Sequence, residues 1–559
     1  MRFKKLKTFI ALASLATSPF LPAYFGAVDL PTREIVGEIV GRRRADSKTW
    51  LRDDGYAFSA FSLVPVHYRG ADGNWTDIEN TFTFDGFTRF KNKNTFEISV
   101  PNVFTNGHAG KIGGKQIAFV PIGANAVSPI IADGDLNTMT QKYDKNRAYY
   151  ENAWTGTDVE YKARWNGLKE FIIIKDATAP TTFRFRLDHD FAPPIYNATA
   201  KRMMKFQDGK NIIELDNITA KDAKGRNVPI IKDWNLPQTL LTLSYNPILE
   251  VTSTTTIVVA YPIVIDPTSY FNIEGATEVT SFDAWIDLCF TASQSRLNHR
   301  LNSANCTTTV NNDSGSLAGS EGYTGHVPPR ATGGRAWLHW NTATTITSGA
   351  TISNEASTSI GLYLIGTACC ANSDNDGEDY IGIIQATTSP STPLVVSLSV
   401  GVPGDWIRIT GLQSEGQNLA SSSQLDLAAD GDNKGHDITT MANGEARNFR
   451  LNATGRANIA ISGGTYATTT FGIAEGHDMS NQDIAVVGDT NSFAFFDSTE
   501  TADLPGVPGP LHFPVLHVVW TAAAAAVVPP PADVIFFSNK PIILTWIEKL
   551  FNIAYAYGK

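Results

Sequence analysis

From Phe183 to Asp188 the chain alternates strictly, with Phe183, Phe185 and Leu187 on one side and Arg184, Arg186 and Asp188 on the other. A side-chain period of two fits a strand with one face against a core and one in water, and it fits no helix. The run Lys169 to Lys175 just before it reads as another strand, and Ala177 to Pro180 as the turn between them. Further upstream, Ser62 to Arg69 and Trp75 to Ile78 flank the turn Gly70-Ala71-Asp72-Gly73-Asn74, a hairpin signature. Asp208-Gly209, Lys224-Gly225 and Asn246-Pro247 separate more short strands. This rhythm predicts an all-β chain built as tandem β-sandwich modules.

The most prominent break in the pattern is Ala260 to Thr268, Ala-Tyr-Pro-Ile-Val-Ile-Asp-Pro-Thr. The β-branched run Ile257 to Val259 leads into Tyr261 to Ile265, which together read as the last buried strand of a module. Pro262 has no ladder N–H and places that strand at an edge or bulge, and Asp266-Pro267 closes it. Beyond lies a Ser/Thr/Asn/Gly-rich stretch holding all four cysteines. With 559 residues, two to four domains are expected, and only 18% charged residues favours turn-rich β structure. A formal net charge of -10 argues against a phosphate-binding surface, so no nucleic-acid partner is expected.

Arg2, Lys4, Lys5 and Lys7 precede the apolar run Thr8 to Ala16, the pattern of a secretion signal, with Ala23 and Ala27 as candidate last residues. Export would place the cysteines in an oxidising compartment. Cys289 and Cys306 are the candidate disulfide, while Cys369-Cys370 reads equally as a bridged or a buried free pair. Arg42-Arg43-Arg44 reads as a solvated charge run, with a processing site as the sharper alternative.

Several stretches resemble a known family. Glu151 to Tyr161, Asn166 to Glu170 and Tyr261 to Thr268 are similar, in order and spacing, to the β-rich region that precedes DNRLRE domains in secreted bacterial surface proteins, including wall-associated and RHS-type proteins. Arg335 to Asn341, Ser348 to Ser353 and Ile360 to Leu364 resemble the DNRLRE pattern itself, although Asn341 stands where Asp is usual and the usual Pro is missing. Asn448 to Asn452, Gly455, Ile459, Gly464-Thr465 and Phe471 to Ile473 continue its order, and Leu511 to Trp520 supplies its closing strand. The resemblance implies a jelly-roll β-sandwich in the C-terminal part. The expected division is a signal peptide over 1–27, a leader over 28–44, an N-terminal β-rich region over 45–149 and a sandwich over 150–268. There follow a DNRLRE-like sandwich over 269–521, an Ala/Pro spacer over 522–531 and an apolar tail over 532–559. That tail is interrupted by Lys540-Pro541 and Glu548-Lys549, which makes it a poor transmembrane helix; Ile542 to Tyr555 suits an interfacial or partner-docking helix, or a fraying tail.

Local catalytic signatures are absent. Gly110-Lys111 is followed by Ile112 rather than Ser or Thr, and neither a His-Glu-x-x-His nor a Gly-x-Ser-x-Gly motif occurs. A glycosidase-type carboxylate pair assembled from distant residues stays compatible with this sequence. Asn372, Asp374, Asp376, Glu378 and Asp379 resemble the start of a calcium loop, but the bidentate Glu of an EF-hand would fall at Ile383. The two readings are a structural calcium in a sandwich loop and a solvated acidic turn; no other cofactor is expected. Asp430 to Asn433 reads as a turn. Trp337, Trp340 and Trp406 are candidate sugar-stacking platforms, with burial in a core as the alternative for each, and His339 reads as structural.

The function expected from this reading is a secreted or cell-surface, non-catalytic protein of adhesion or glycan binding. Its partner would be a cell-envelope or extracellular glycan or a surface protein, with membrane contact through the C-terminal tail. The alternatives are a polysaccharide-active lyase or hydrolase, and a structural scaffold or exported part of a toxin-delivery protein.

Overall fold

The computed structural model describes residues 33–273, apart from 135, 138–141, 201, 236–238 and 252–255. Beyond 273 it describes 282–290, 309–312, 322–326, 331–363, 380–385, 436–437, 446–465, 468–475, 492–496, 514–522 and 534–536. Strand makes up 56% of the interpretable residues and helix 5%, so the chain is all-β.

Two antiparallel sheets enclose the larger core. The first runs in the order Ile230–Asn235, Leu240–Tyr245, Thr182–His189, Lys115–Ile122, His108–Ile112, Phe96–Pro101, Arg89–Lys93 and Glu79–Phe84. The second runs Ile130–Ala132, Arg147–Trp154, Thr157–Arg164, Gly167–Ile174, Ser269–Ile273, Asn211–Asp216, Arg202–Asp208 and Ile195–Tyr196. Phe183, Phe185 and Leu187 are buried, as their alternation predicts, and join Ile98, Ile117, Tyr161, Ile172 and Phe206 in one cluster.

That shared core corrects the expected boundary at 149/150. Residues 79–273 form one sandwich, because Thr182–His189 pairs with Lys115–Ile122 (Phe119 opposite Leu187) and not with its chain neighbour Gly167–Ile174. Alternation tells which face of a strand is buried but not which sheet receives it.

The Ala260 to Thr268 stretch is also placed differently from the expectation. Ile263–Asp266 and Ser269–Ile273 both pair with Gly167–Ile174 in a single unbroken register, Ile172 opposite Ile265 and Leu168 opposite Ser269. The stretch lies inside the sheet, and a strand follows it. Pro262 precedes the first ladder residue, where a missing N–H removes no ladder bond. Pro267 sits where the partner on the other side changes from Thr219–Lys221 to Asn211–Asp216. Around it Asp266 pairs with Lys169 and accepts from Thr268 Oγ1 at 2.8 Å, and the Thr268 carbonyl accepts from the Asp216 N–H at 2.8 Å.

A second sandwich is assembled from both ends of the chain. One sheet has the order Ala446–Arg450, Ser359–Tyr363, Val515–Thr521, Ala57–Ser62, Ser47–Arg52, Ile35–Ile39 and Val534–Phe536. The other has Thr309–Asn312, Phe282–Phe290, Ala331–Trp340, Thr469–Glu475, Tyr380–Gln385 and His436–Asp437. Phe61, Phe449, Leu516, Val518 and Trp520 of the first meet Leu338, Trp340, Ile383, Phe471 and Ile473 of the second in one core. The central sandwich is thus inserted in sequence between Ser62 and Phe282 of this outer one.

Ile35–Ile39, read as leader, is a strand of that outer sheet, as is Val534–Phe536 from the expected tail, and Val40–Arg42 follows as a single 3-10 turn. The Arg triplet is buried at Arg43 and half-buried at Arg42 and Arg44. Arg43 is 8% exposed, Arg42 lies 4.9 Å over the Trp520 ring and donates to the Thr345 carbonyl, and Arg44 donates to the Arg43 carbonyl. Residues 1–32, the spacer from 523 and the helix expected over 542–555 lie outside the described residues.

Candidate functional site

The structure treats the sequence-derived binding residues unequally. Trp340 is 0% exposed in the outer core, so it offers no face to a ligand. This is the core alternative, and its reason is the register: Leu338 and Trp340 share the side of the strand that meets Phe471 and Ile473. His339 is buried too, with Nδ1 2.8 Å from Thr470 Oγ1, and burial lowers its imidazole to about 4. Trp337 stands opposite Ala284 and Gly472 in the ladder. Cys289 stands opposite Thr332. Trp406, the acidic stretch Asn372, Asp374, Asp376, Glu378 and Asp379, and Cys306 lie outside the described residues. Among the described residues no group of three or more His, Cys, Asp or Glu could hold a metal, and no helix is long and apolar enough to cross a membrane.

The feature best built to touch a partner is a hairpin tip that the sequence reading passed over. Glu79–Phe84 and Arg89–Lys93 pair with Phe84 opposite Phe90, and those two rings lie 5.0 Å apart. The chain turns at Asp85-Gly86-Phe87-Thr88, where Gly86 has φ +82°, a conformation glycine adopts without strain. The Asp85 carboxylate gathers the turn: Oδ1 accepts from the N–H groups of Phe87, Thr88 and Arg89 at 2.9, 3.0 and 3.1 Å. These bonds, led by that from Arg89, hold its carboxyl below the ordinary value. Arg89 braces the far side, donating from Nη1 to the Gly107 carbonyl at 3.0 Å and from Nη2 to the Asn106 carbonyl at 3.3 Å. Phe87 at the apex is 84% exposed and Phe84 44% exposed.

An apolar ring standing in water on a turn already ordered loses little further freedom on binding, which suits stacking on the C–H face of a sugar. The signal was present in the sequence. Thr-Phe-Asp-Gly-Phe is an Asp-Gly turn between alternating aromatics, a strong short-range hairpin mark.

A second cluster is charged, and its geometry is that of a brace. Arg43 donates to both oxygens of Glu38 (Nε to Oε1 2.6 Å, Nη2 to Oε2 2.9 Å), to Asp77 Oδ2 at 3.1 Å and to the Trp75 carbonyl at 3.2 Å. Lys48 also pairs with Asp77, and His67 Nε2 lies 3.3 Å from Asp77 Oδ1 while its Nδ1 is 2.6 Å from the Arg44 carbonyl. Burial works to raise the Asp77 carboxyl, but the bonds from His67 and Lys48 and the Arg43 charge hold it far below the ordinary range. Both carboxylates are occupied by cations, so the cluster fastens the His67–Arg69/Trp75–Asp77 hairpin to the outer sheet rather than offering a proton acceptor.

No family model matches this chain, and no curated protein matches it.

Proposed function

We propose that this chain is a secreted or cell-surface, non-catalytic β-sandwich protein that binds at the cell envelope, with a glycan as the ligand and the Asp85 to Arg89 hairpin tip as the contact. The observation that carries the reading is the 84% exposure of Phe87 on a turn fixed by the Asp85 carboxylate. Monomeric proteins keep single exposed apolar residues without consequence, but a rigid tip pairing an exposed ring with a second half-exposed one has the form of a contact site. The basic start of the chain with its apolar run, and the resemblance to the DNRLRE class of surface proteins, support export and display.

The test is a glycan array probed with the full-length exported chain and with Phe87→Ala, each with and without calcium. Binding by the parent that falls at least tenfold in the variant supports the reading. Absence of binding to every glycan, or equal binding by both proteins, overturns it.

A further inference from the structure

The core of the central sandwich carries a polar chain that crosses from one sheet to the other. His108, on His108–Ile112 of the first sheet, places Nδ1 3.0 Å from the phenol oxygen of Tyr161, on Thr157–Arg164 of the second. Glu170, on the neighbouring Gly167–Ile174, stands directly opposite Tyr161 in the ladder, and its carboxyl hydrogen-bonds with the same phenol. Glu170 is 5% exposed, and His108 and Tyr161 are buried beside it. Phe119 stacks on His108 at 5.0 Å, and Phe104 and Tyr150 pack on Tyr161.

The surroundings of Glu170 contain no compensating cation among the described residues. Tyr161 faces it from one flanking strand and His108 from across the core, with Tyr150 beyond Tyr161. Arg89 approaches His108 and Tyr150, but its guanidinium is bonded to the Gly107 and Asn106 carbonyls. On the other flank stands Asp266, itself acidic and engaged with Lys169. The Oε1 atom of Glu170 makes no hydrogen bond at all. An ionised carboxylate is strongly disfavoured in such a place, so the group keeps its proton.

We propose that the proton on Glu170 is a latch: while it is held, the core around the His108–Tyr161 bond between the two sheets buries no uncompensated charge, and its loss in alkaline medium loosens the central sandwich. The inference does not depend on the envelope-binding reading. Burial first, then the Asp266 charge, raises the Glu170 carboxyl to about 8 from an ordinary 4.5, against the hydrogen bond from Tyr161. A carboxyl raised in the folded state adds stability that is complete below about 4.5 and is lost as pH climbs towards about 8. At the other end of the chain, burial and Arg89 lower His108 to about 3, so the folded imidazole stays neutral throughout that window and its own contribution to stability changes only below 6.5.

The experiment follows unfolding of the full-length chain and of Glu170→Gln from about pH 5 to about pH 9, reading the transition of the central sandwich. Between about pH 6.5 and about pH 8 the unfolding constant of the parent should rise by up to about tenfold per pH unit and then level off, while Glu170→Gln stays flat over the same window. Parallel profiles would overturn the latch. Should Glu170→Gln fail to fold, infrared spectroscopy of the parent with isotope-labelled glutamate decides. A protonated buried glutamate at neutral pH that disappears in alkali supports the proposal, and its absence at neutral pH rejects it.

Discussion

The central and outer sandwiches are built from the same kind of strand but stand differently to the sequence. The central one is a continuous run, 79–273, whose polar core chain has no compensating cation among the described residues. The outer one is split, its sheet closed by Ala57–Ser62 pairing with Val515–Thr521, and its buried charges are matched: Arg43 with Glu38 and Asp77, and Arg52 with Glu355 and Asp54. Matched buried charges occur in both, since Arg147 holds both oxygens of Glu160 in the central sandwich; the difference is that the central one also buries an acidic group with no cation beside it among the described residues. The long-range pairings of the central sandwich, such as Gly167–Ile174 with Ser269–Ile273, stay within 79–273, whereas the outer one must close the far longer loop from Ser62 to Val515, and the Arg52 bonds to both oxygens of Glu355 help to fix the returning chain.

Removing the anchor of the split sandwich breaks this comparison most severely. Trp520 fills the outer core, donates from Nε1 to Ser59 Oγ at 2.9 Å and receives the Arg42 cation on its ring. Trp520→Ala should cost about 3–5 kcal/mol in denaturant unfolding of the outer sandwich, with the central transition unmoved. One merged transition shifting as a whole would show that the two cores are a single cooperative unit.

Next in size is Arg43→Ala. It leaves Glu38 without its bidentate partner and Asp77 with Lys48 and His67 alone, and should cost about 3 kcal/mol. Because Asp77 is held below its unfolded value of 3.8, its contribution is present above that value and lost as pH falls below it. Urea midpoints of parent and variant near neutral pH measure the cost; indistinguishable midpoints would reduce the brace to a surface contact.

The two sandwiches should also part company with pH. Burial lowers His108 in the central core to about 3, and His339 and His517 in the outer one to about 4. Each contributes stability that is complete above 6.5 and is lost as pH falls towards its folded value, so the outer unit weakens steadily in acid, while in the central one Glu170 offsets the loss down to about 4.5. Among the described residues, Glu170 makes the central one go on weakening from 6.5 up to about pH 8. Calorimetric scans on both sides of neutrality distinguish this from a common pH profile, which would erase the contrast.

The smallest stability effect belongs to Phe87→Ala. The ring is exposed, so unfolding should change by less than about 0.5 kcal/mol while ligand binding suffers. A large loss of stability would mean that the ring is part of the fold and not a contact.

Local features were legible wherever neighbours in sequence are neighbours in space. Phe183, Phe185 and Leu187 faced the core as their spacing required, and the turn at Gly70 to Asn74 closed its hairpin with the Gly70 N–H on the Asn74 carbonyl at 2.8 Å. What could not be read was long-range pairing. Ala57–Ser62 is buried along its whole length because Val515–Thr521 lies beside it, and no local pattern names a partner so far away. The Arg triplet misled for the same reason: Arg43 looks solvated until Asp77, from the hairpin after it, is folded back. Pro262 and Pro267 marked a real interruption, but a proline cannot reveal whether the ladder resumes beyond it. Of the candidate site, the Phe84 to Phe90 hairpin was visible in outline as an Asp-Gly turn, while its exposure depended on the tertiary fold.

Amide hydrogen exchange on the full-length chain tests the insertion of one sandwich into the other most directly. The account predicts that amides of Ala57–Ser62 open together with those of Val515–Thr521, at a free energy distinct from that of Thr182–His189. Opening of Ala57–Ser62 in step with residues 79–149, and independent of Val515–Thr521, would contradict it.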